Sequence, residues 1–549
     1  MLRVPVLCLA LFAAAWFEFS VFPGHSYLEG NTQLYLPMLE RMDAPGFLSR
    51  DLVATNPTLA LTAYDEVTLL LHEVGRQPFR RTLLGQEFIF RMAALLGVFL
   101  LLRSTGLSYL FAFVLSTVVN FGATIVGPAV FLTDREPLPG AFAFSLTLLA
   151  MGLLIHEKPL LAGVAGGLAF LYDPVLAMPF WCVLVAAFFL DKEIKYLIRP
   201  TLPIFLVFAL LLANLAQLQP GTAADPIFSR ISAPLGLFQR TYTPYLYVSA
   251  WPSRELWQIL ALATLGVWAA SRYWSLLNRV FRWLLLGTGL CGLLSIPFSF
   301  LLLDQAGFTW IARLQPTRTL LFTVAAAAVL FGLAGMRAIL QRSAAESLAW
   351  FFLLFLLPVS HGIFDFTHFA IALALAALLT ALLFACALKP LRFVTIAVPV
   401  IAAVAFSRLL SHNTTPIPMQ RSLSELATWA DGSTWGSSMF LFPDAGRASY
   451  PGVFRAQSRH PLWADWKSAQ GVAYSESAAR HWQDRWRDTM EDGFSAAKLE
   501  TMLPLPIDYY VLRKQNELAN ARPAFVNRDF VVYDAEDFRN APKPLKRSN

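Results

Sequence analysis

Charge and cysteine are both scarce in this sequence. Only 14% of its 549 residues are charged, while 56% are hydrophobic and the mean hydropathy is +0.54. This composition excludes an ordinary soluble protein and places the chain among integral membrane proteins. All four cysteines lie in apolar runs and the polar C-terminal region has none, so a disulfide framework is excluded as well.

The sequence also lacks the short motifs by which many enzymes are recognised. It has no P-loop, no CxxC, no HExxH and no GxSxG, and its GxGxxG match at 287–292 lies inside an apolar run. These absences exclude the easily recognised enzymes that carry such motifs. The net charge of +7 comes mostly from basic residues in short loops between apolar runs, where they set membrane orientation and imply no nucleic acid.

Long apolar runs make up most of the remaining sequence. Because about twenty apolar residues cross the hydrocarbon core of a bilayer, the runs predict about thirteen membrane spans. The two arms that meet at Asp173 and Pro174 are short, and without them eleven spans remain with the same sidedness. The first run is predicted to stay as a helix, because Phe22 and Pro23 are poor flanks for signal cleavage. The spans centre on residues 4–22, 88–103, 108–125, 139–155, 159–172, 175–190, 201–218, 257–271, 283–302, 319–336, 348–361, 368–388 and 393–410.

Basic residues mark the cytoplasmic side of these spans. In this arrangement Lys158, Lys192, Arg279 and Arg342 all face one side, as the positive-inside rule predicts for cytoplasm. The first loop (22–87), the loop 126–138 and the C-terminal region are then extracytoplasmic. The sequence predicts an all-α bundle of the inner (plasma) membrane at residues 1–410 and a small extracytoplasmic α/β domain at residues 411–549.

The first loop is long and amphipathic. Leu34, Met38 and Leu39 recur at helical spacing opposite polar residues, which predicts a helix lying in the membrane interface. A second such helix is predicted to start at Asn56 and Pro57, a cap followed by a first-turn proline. Two interfacial helices in one outer loop indicate a cover over a cavity at membrane level.

The polar C-terminal region alternates helical and strand patterns. Ser422 and Glu425 form a capping box that predicts a helix to about Ala430. Strands are predicted at 439–442, 462–466, 509–512 and 524–533, with a helical stretch at 475–499.

Acids in the outer loops are the candidate catalytic residues. Glu29 follows the first span, where a carboxylate can act as a general base or hold a divalent cation; an exposed loop acid is the alternative. Asp134, Arg135 and Glu136 crowd the second outer loop beside Pro137. They either form a local ion pair or join Glu29 at one cavity.

Arginines near the outer ends of spans are the candidate substrate-binding residues. Arg313 and Arg318 flank one outer loop, where a guanidinium suits a lipid phosphate through paired hydrogen bonds, and pairing with Asp304 or lipid headgroups is the alternative. Arg91 lies inside the second span, so it needs a partner or a watery cavity, and Glu18 is the predicted partner. Arg135 of the second outer loop is the remaining candidate substrate-binding residue.

One candidate metal site lies near the eleventh and twelfth spans. His361, Asp365 and His368 are spaced so that one helical face would present all three, a combination that binds metal ions. A polar turn between two helices explains the same residues without a metal.

The assembled layout resembles the GT-C superfamily of glycosyltransferases. The points of likeness are about thirteen spans, a helical first outer loop with an acid after the first span, charges in the second outer loop and a C-terminal outer domain. The stretch FPDAGRASYPGVFRAQSRHPLWADWK (442–467) resembles a group of uncharacterised bacterial membrane proteins with a C-terminal periplasmic domain. Where GT-C enzymes usually carry two acids in the first loop, Glu29 stands alone, and the Trp-Trp-Asp motif of oligosaccharyltransferases is absent.

The resemblance implies transfer of a sugar from a polyprenyl-phosphate carrier to an extracytoplasmic acceptor. In that scheme Arg313 or Arg318 would neutralise the phosphate, and Glu29 or Asp134 would deprotonate the acceptor, while a divalent cation is optional. Two alternatives remain open. One is a lipid or polysaccharide transporter with a polar path through Arg91, Glu18 and Asp173, and the other is a non-catalytic envelope assembly protein.

Overall fold

The computed structural model describes residues 3–56, 62–122, 124–125, 127–128, 130–218, 229–358, 366–388, 419–519 and 521–539. Within these residues the chain is mostly helical, with a small sheet near the C-terminus. The helices before the sheet are α1 (Arg3–Ser20), α2 (Thr32–Asp43), α3 (Leu52–Thr55), α4 (Tyr64–Gly75), α5 (Phe79–Arg103), α6 (Tyr109–Asn120), α7 (Pro139–Ile155), α8 (Pro159–Tyr172), α9 (Pro174–Leu190), α10 (Lys195–Ile198), α11 (Leu202–Leu218), α12 (Ala233–Tyr242), α13 (Ser253–Arg272), α14 (Arg279–Phe281), α15 (Gly287–Ser299), α16 (Thr309–Leu314), α17 (Leu320–Leu340), α18 (Ala344–Leu356) and α19 (Phe366–Leu388).

Apolar helices make this chain a membrane protein. Among the described residues, five helices are long and apolar enough to cross a bilayer, and six further apolar helices are shorter. Each predicted span up to residue 388 falls on a helix, whereas the span 393–410 lies outside the described residues, so the number of spans stays a prediction. The five long helices are Phe79–Arg103, Lys195–Leu215, Arg279–Gln305, Thr309–Leu340 and Thr367–Ala387.

The predicted helices of the first loop are present with one shifted boundary. The helix around Leu34 is α2, and the short helix α3 is capped by the Asp51 carboxylate, which accepts hydrogen bonds from the Val53 and Ala54 N–H groups. The second predicted helix begins at Tyr64 and not at Asn56, because Asn56 ends α3. Two antiparallel strands of two residues each form a short ribbon at the start of the second outer loop. They are β1 (Thr124–Ile125) and β2 (Val130–Phe131).

The C-terminal region contains a four-stranded sheet with helices packed against it. The strands lie in the order β3-β4-β6-β5, with β3 parallel to β4 and the other pairs antiparallel. In chain order the elements are α20 (Gln420–Ser433), β3 (Phe440–Leu441), α21 (Tyr450–Ser458), α22 (Ser468–Val472), α23 (Glu476–Thr489), α24 (Ala496–Met502), β4 (Tyr509–Arg513), β5 (Phe525–Val526), β6 (Phe530–Asp534) and α25 (Ala535–Arg539).

Three predictions for this region need correction. The predicted strand 462–466 forms only an isolated bridge at Leu462, because the Asp465 carboxylate accepts a hydrogen bond from the Ser468 N–H and turns the chain into α22. The predicted strand 524–533 is a hairpin, since Asn527 accepts hydrogen bonds from two following N–H groups. The helical stretch 475–499 is split into α23 and α24 near Gly493, whose φ of 76° is left-handed.

The C-terminal region packs directly on the first loop. The Arg455 guanidinium is 1% exposed and lies 3.0 Å from the Asp465 carboxylate and 3.6 Å from that of Asp51 in the first loop. It also donates a hydrogen bond of 3.1 Å to the main-chain oxygen of Gln33 in α2. This buried ionic cluster of Arg455, Asp51 and Asp465 therefore ties the sheet region to the first loop.

Candidate active site

A cavity lies at the end of the bundle that the sequence predicts to be extracytoplasmic. It forms where α1 ends, where α7 begins, and where the second outer loop passes beside α5. Its volume is about 60 Å³, which holds a few water molecules in this conformation. The charged residues that line it are Glu18, Glu87, Arg91, Asp134 and Arg318.

Arg91 connects the helices and loops that form the cavity wall. Its guanidinium is 6% exposed and lies 2.5 Å from the Glu87 carboxylate one helical turn earlier. It donates further hydrogen bonds to the main-chain oxygens of Glu18, Gly24 and Asp134, at 3.1, 2.8 and 3.0 Å. The predicted ion-pair partner of Arg91, the Glu18 carboxylate, is therefore replaced by Glu87, since Glu18 contributes its main-chain oxygen.

Glu136 links the second outer loop to the first through hydrogen bonds. Its carboxylate, 5% exposed, accepts hydrogen bonds from the N–H groups of Glu29, Gly30 and Thr32 at 2.9, 2.6 and 3.1 Å. A Cβ atom on Gly30 would lie 2.8 Å from the Glu136 Oε2 atom, so a larger residue here would require the carboxylate to shift. The geometry gives Glu136 a structural task, because its oxygens are occupied by main-chain donors.

Glu29 reaches this region through its main chain alone. Its N–H contacts Glu136, whereas its side chain is exposed and is not among the residues that line the cavity. The cavity therefore contains the Asp134 side chain and not the Glu29 side chain. Arg135 is likewise absent from the lining, and its main-chain oxygen accepts a hydrogen bond from the Ser26 N–H at 2.6 Å.

Asp134 is the outer-loop acid that does line the cavity. Its Oδ1 atom accepts a hydrogen bond from the Glu136 N–H at 3.1 Å, which fixes the carboxyl group against the loop. Burial, and to a smaller extent the Glu136 carboxylate, raises the pKa of Asp134 to about 6. A carboxyl group with a pKa in this range can take up and release a proton near neutral pH.

Arg318 also lines the cavity. One nitrogen of its guanidinium donates a hydrogen bond of 3.0 Å to the Asp173 carboxylate, which also caps the start of α9. A Cβ atom on Gly140 would overlap the guanidinium, so this glycine leaves room for it. The other candidate in this loop, Arg313, is exposed and donates to the main-chain oxygen of Tyr474 at 3.3 Å, away from the cavity.

Two acids in the cavity lie on membrane helices and not in the loops. The sequence predicted Glu18 as a partner of Arg91 and as part of a transporter path, and it did not predict Glu87 as a site residue. The signal for Glu87 is its position one helical turn before a buried arginine, where an i,i+4 pair forms. Both side chains are almost fully buried, at 1% and 2% exposure.

No family model and no curated protein matches this chain. Solved structures do resemble it. They are GT-C glycosyltransferases, the superfamily that the sequence resembles. ArnT from Cupriavidus metallidurans in the apo state has a TM-score of 0.48 and 11% identity, covering 98% of this chain and 99% of that one.

Two further solved structures belong to the same comparison. The oligosaccharyltransferase AglB from Archaeoglobus fulgidus has a TM-score of 0.44 and 12% identity, covering 94% of this chain and 70% of that chain. The arabinofuranosyltransferase AftD from Mycobacteria has a TM-score of 0.45 and 14% identity, covering 97% of this chain and 40% of that chain.

The predicted metal site cannot be placed as a unit. His361 and Asp365 lie outside the described residues, and His368 lies in the first turns of α19. Across the described ranges, no group of three or more histidine, cysteine, aspartate or glutamate residues is arranged to hold a metal ion.

Proposed function

We propose that this protein is an integral membrane glycosyltransferase. It transfers a sugar from a polyprenyl-phosphate donor to an acceptor hydroxyl at the extracytoplasmic end of the bundle. The observation that carries this proposal is the presence of the Asp134 carboxyl and the Arg318 guanidinium in one cavity. A base and a phosphate-binding cation are the two groups that this reaction requires.

The proposed reaction assigns one task to each group. Asp134 accepts the proton of the acceptor hydroxyl as its oxygen forms a bond to the anomeric carbon. The bond between that carbon and the phosphate oxygen breaks, and the polyprenyl phosphate leaves with the electron pair. Arg318 stabilises the charge that develops on the phosphate, because a guanidinium pairs with phosphate oxygens through two hydrogen bonds.

Main-chain contacts would hold the base in place. Arg91 binds the Asp134 main-chain oxygen, and Glu136 binds both the Asp134 carboxyl through its N–H and the first loop through its carboxylate. A sugar ring needs more room than a few water molecules, so substrate binding widens the cavity. We expect the isoprenoid chain to lie outside it, along the apolar surface of the bundle.

The lipid carrier is part of the proposal for this chain. Solved structures hold undecaprenyl phosphate bound to ArnT and dolichol phosphate in complex with AglB, and these carriers belong to those proteins. For this chain, the support for a phosphate-linked lipid is the arginine in the cavity and the membrane setting of the bundle.

A transfer assay with the purified full chain in liposomes tests the proposal. The donors are undecaprenyl phosphates that each carry one radiolabelled hexose or pentose, and a bacterial envelope extract supplies acceptors. Wild type should release label from a donor into acceptor, and the D134N substitution should reduce this rate by about 100-fold or more, the scale of a lost general base.

Matched variants separate the roles in that assay. E73Q changes an exposed acid of α4 outside the cavity and should leave the rate unchanged. E29Q should also retain transfer, because the Glu29 side chain is exposed and does not line the cavity. Loss of transfer in E29Q with full activity in D134N would overturn the assignment of the base, and no transfer by wild type from any donor would overturn the proposed function.

A further inference from the structure

The cavity contains two acids for which the proposed reaction has no task. Glu18 lies near the end of α1 and Glu87 near the start of α5, and both line the cavity with Asp134. Their side chains are 1% and 2% exposed. Burying two carboxyl groups in a membrane bundle costs free energy, so their presence in the cavity requires a structural or functional explanation.

Each of these acids has a buried oxygen that lacks a hydrogen-bond donor. In the part of the chain that the structure describes, Glu18 Oε1 and Glu87 Oε2 are both buried without a partner. The other Glu87 oxygen is engaged by Arg91 at 2.5 Å. A buried acceptor without a donor destabilises the protein, so the cavity is prepared for a ligand or water that supplies donors.

A neutral donor can satisfy these two oxygens. Arg91 already pairs with Glu87, and Arg318 pairs with Asp173. Hydroxyl groups donate hydrogen bonds without adding charge, and a sugar ring carries several of them on adjacent carbons.

We propose that Glu18 and Glu87 form a hydroxyl-binding site that recognises the sugar ring of the donor. The two carboxyl groups accept hydrogen bonds from ring hydroxyls, while Arg318 holds the phosphate in the same cavity. This inference rests on the proposed function and adds to it the residues that select the sugar. Sugars whose hydroxyls do not meet these two acceptors are rejected, because the acceptors then stay buried and unpaired.

Binding measurements on the purified full chain test this site without requiring turnover. The probes are undecaprenyl phosphate and undecaprenyl phosphates that each carry one hexose or pentose, and native mass spectrometry gives the affinities. For wild type, at least one sugar-bearing lipid should bind about tenfold tighter than the bare lipid. E18M should lose that preference and keep the affinity for the bare lipid, whereas E18Q, which retains one acceptor oxygen, should keep part of it. The exposed-site control E73M should match wild type.

A second readout needs no ligand. E18M removes an unpaired buried acceptor, so its unfolding temperature without lipid should be higher than that of wild type. An unchanged sugar preference in E18M, or a lower unfolding temperature, would overturn the inference. Binding of bare undecaprenyl phosphate with no preference for any sugar-bearing lipid would overturn the inference alone. Failure of every lipid to bind wild type would instead contradict the proposed function.

Discussion

At the scale of single residues, the charge state of Asp134 decides whether this residue can act as a general base in the cavity. Burial raises the pKa of Asp134 to about 6, so the carboxyl group is ionised above that pH and protonated below it. A general base must be ionised, and kcat/KM should therefore fall about tenfold per pH unit below pH 6. Initial rates of sugar transfer between pH 4.5 and 8 measure this limb. A flat profile across that range would exclude Asp134 as the base.

Glu136 is predicted to be structural and not catalytic. The E136A substitution leaves the N–H groups of Glu29, Gly30 and Thr32 without their acceptor, which costs about 1–3 kcal/mol for each group that stays buried. Limited proteolysis should then cut the first loop faster, and the unfolding temperature should fall. G30A should have the same effect, because its Cβ displaces the carboxylate. Equal protease resistance in E136A and wild type would contradict this role.

Residue types could be predicted from the sequence better than residue contacts. Asp134 of the second outer loop and the buried arginine of α5 both line the cavity, as their unusual positions indicated. The partner of Arg91 could not be predicted, because it depends on where the main chain of the loops passes. For the same reason, no local pattern shows that the Glu29 side chain faces solvent while its N–H faces Glu136.

At the scale of elements, the apolar helices followed from hydropathy, since a bilayer imposes one length and one composition on them. The short strands of the C-terminal region could not be predicted in this way. The pattern at 462–466 alternates like a strand, but the Asp465 side chain ends it by capping a turn and pairing with Arg455. Side chains that bond to the main chain compete with secondary structure in this way.

The buried ionic cluster should hold the C-terminal region on the first loop. R455M leaves Asp51 and Asp465 buried without their cation, which we expect to destabilise the protein by about 3–5 kcal/mol. The unfolding temperature in one fixed detergent measures the loss. As a control, R421M breaks a solvent-exposed pair with Glu425 and should cost about 0–1 kcal/mol. Equal unfolding temperatures in the two variants would contradict a role for the cluster in holding these elements together.

At the scale of the whole molecule, the distribution of basic residues predicts which side each part faces. In a variant without the native cysteines, a cysteine at Trp435, which is 84% exposed, should react with an impermeant maleimide in sealed right-side-out vesicles. A cysteine at Lys192 should react only after the vesicles are permeabilised, because positive loops stay in the cytoplasm. The reverse labelling pattern would place the cavity on the cytoplasmic side. It would then contradict the prediction that the acceptor binds on the extracytoplasmic side.

We propose that a phosphate-linked lipid binds at the cavity between Asp134 and Arg318. A cryo-electron microscopy structure of the full chain with undecaprenyl phosphate tests this binding most directly. We expect phosphate density within hydrogen-bond distance of the Arg318 guanidinium, with the Asp134 carboxyl facing the same space. Phosphate density at the exposed Glu29 loop, or at Arg313 outside the cavity, would contradict it.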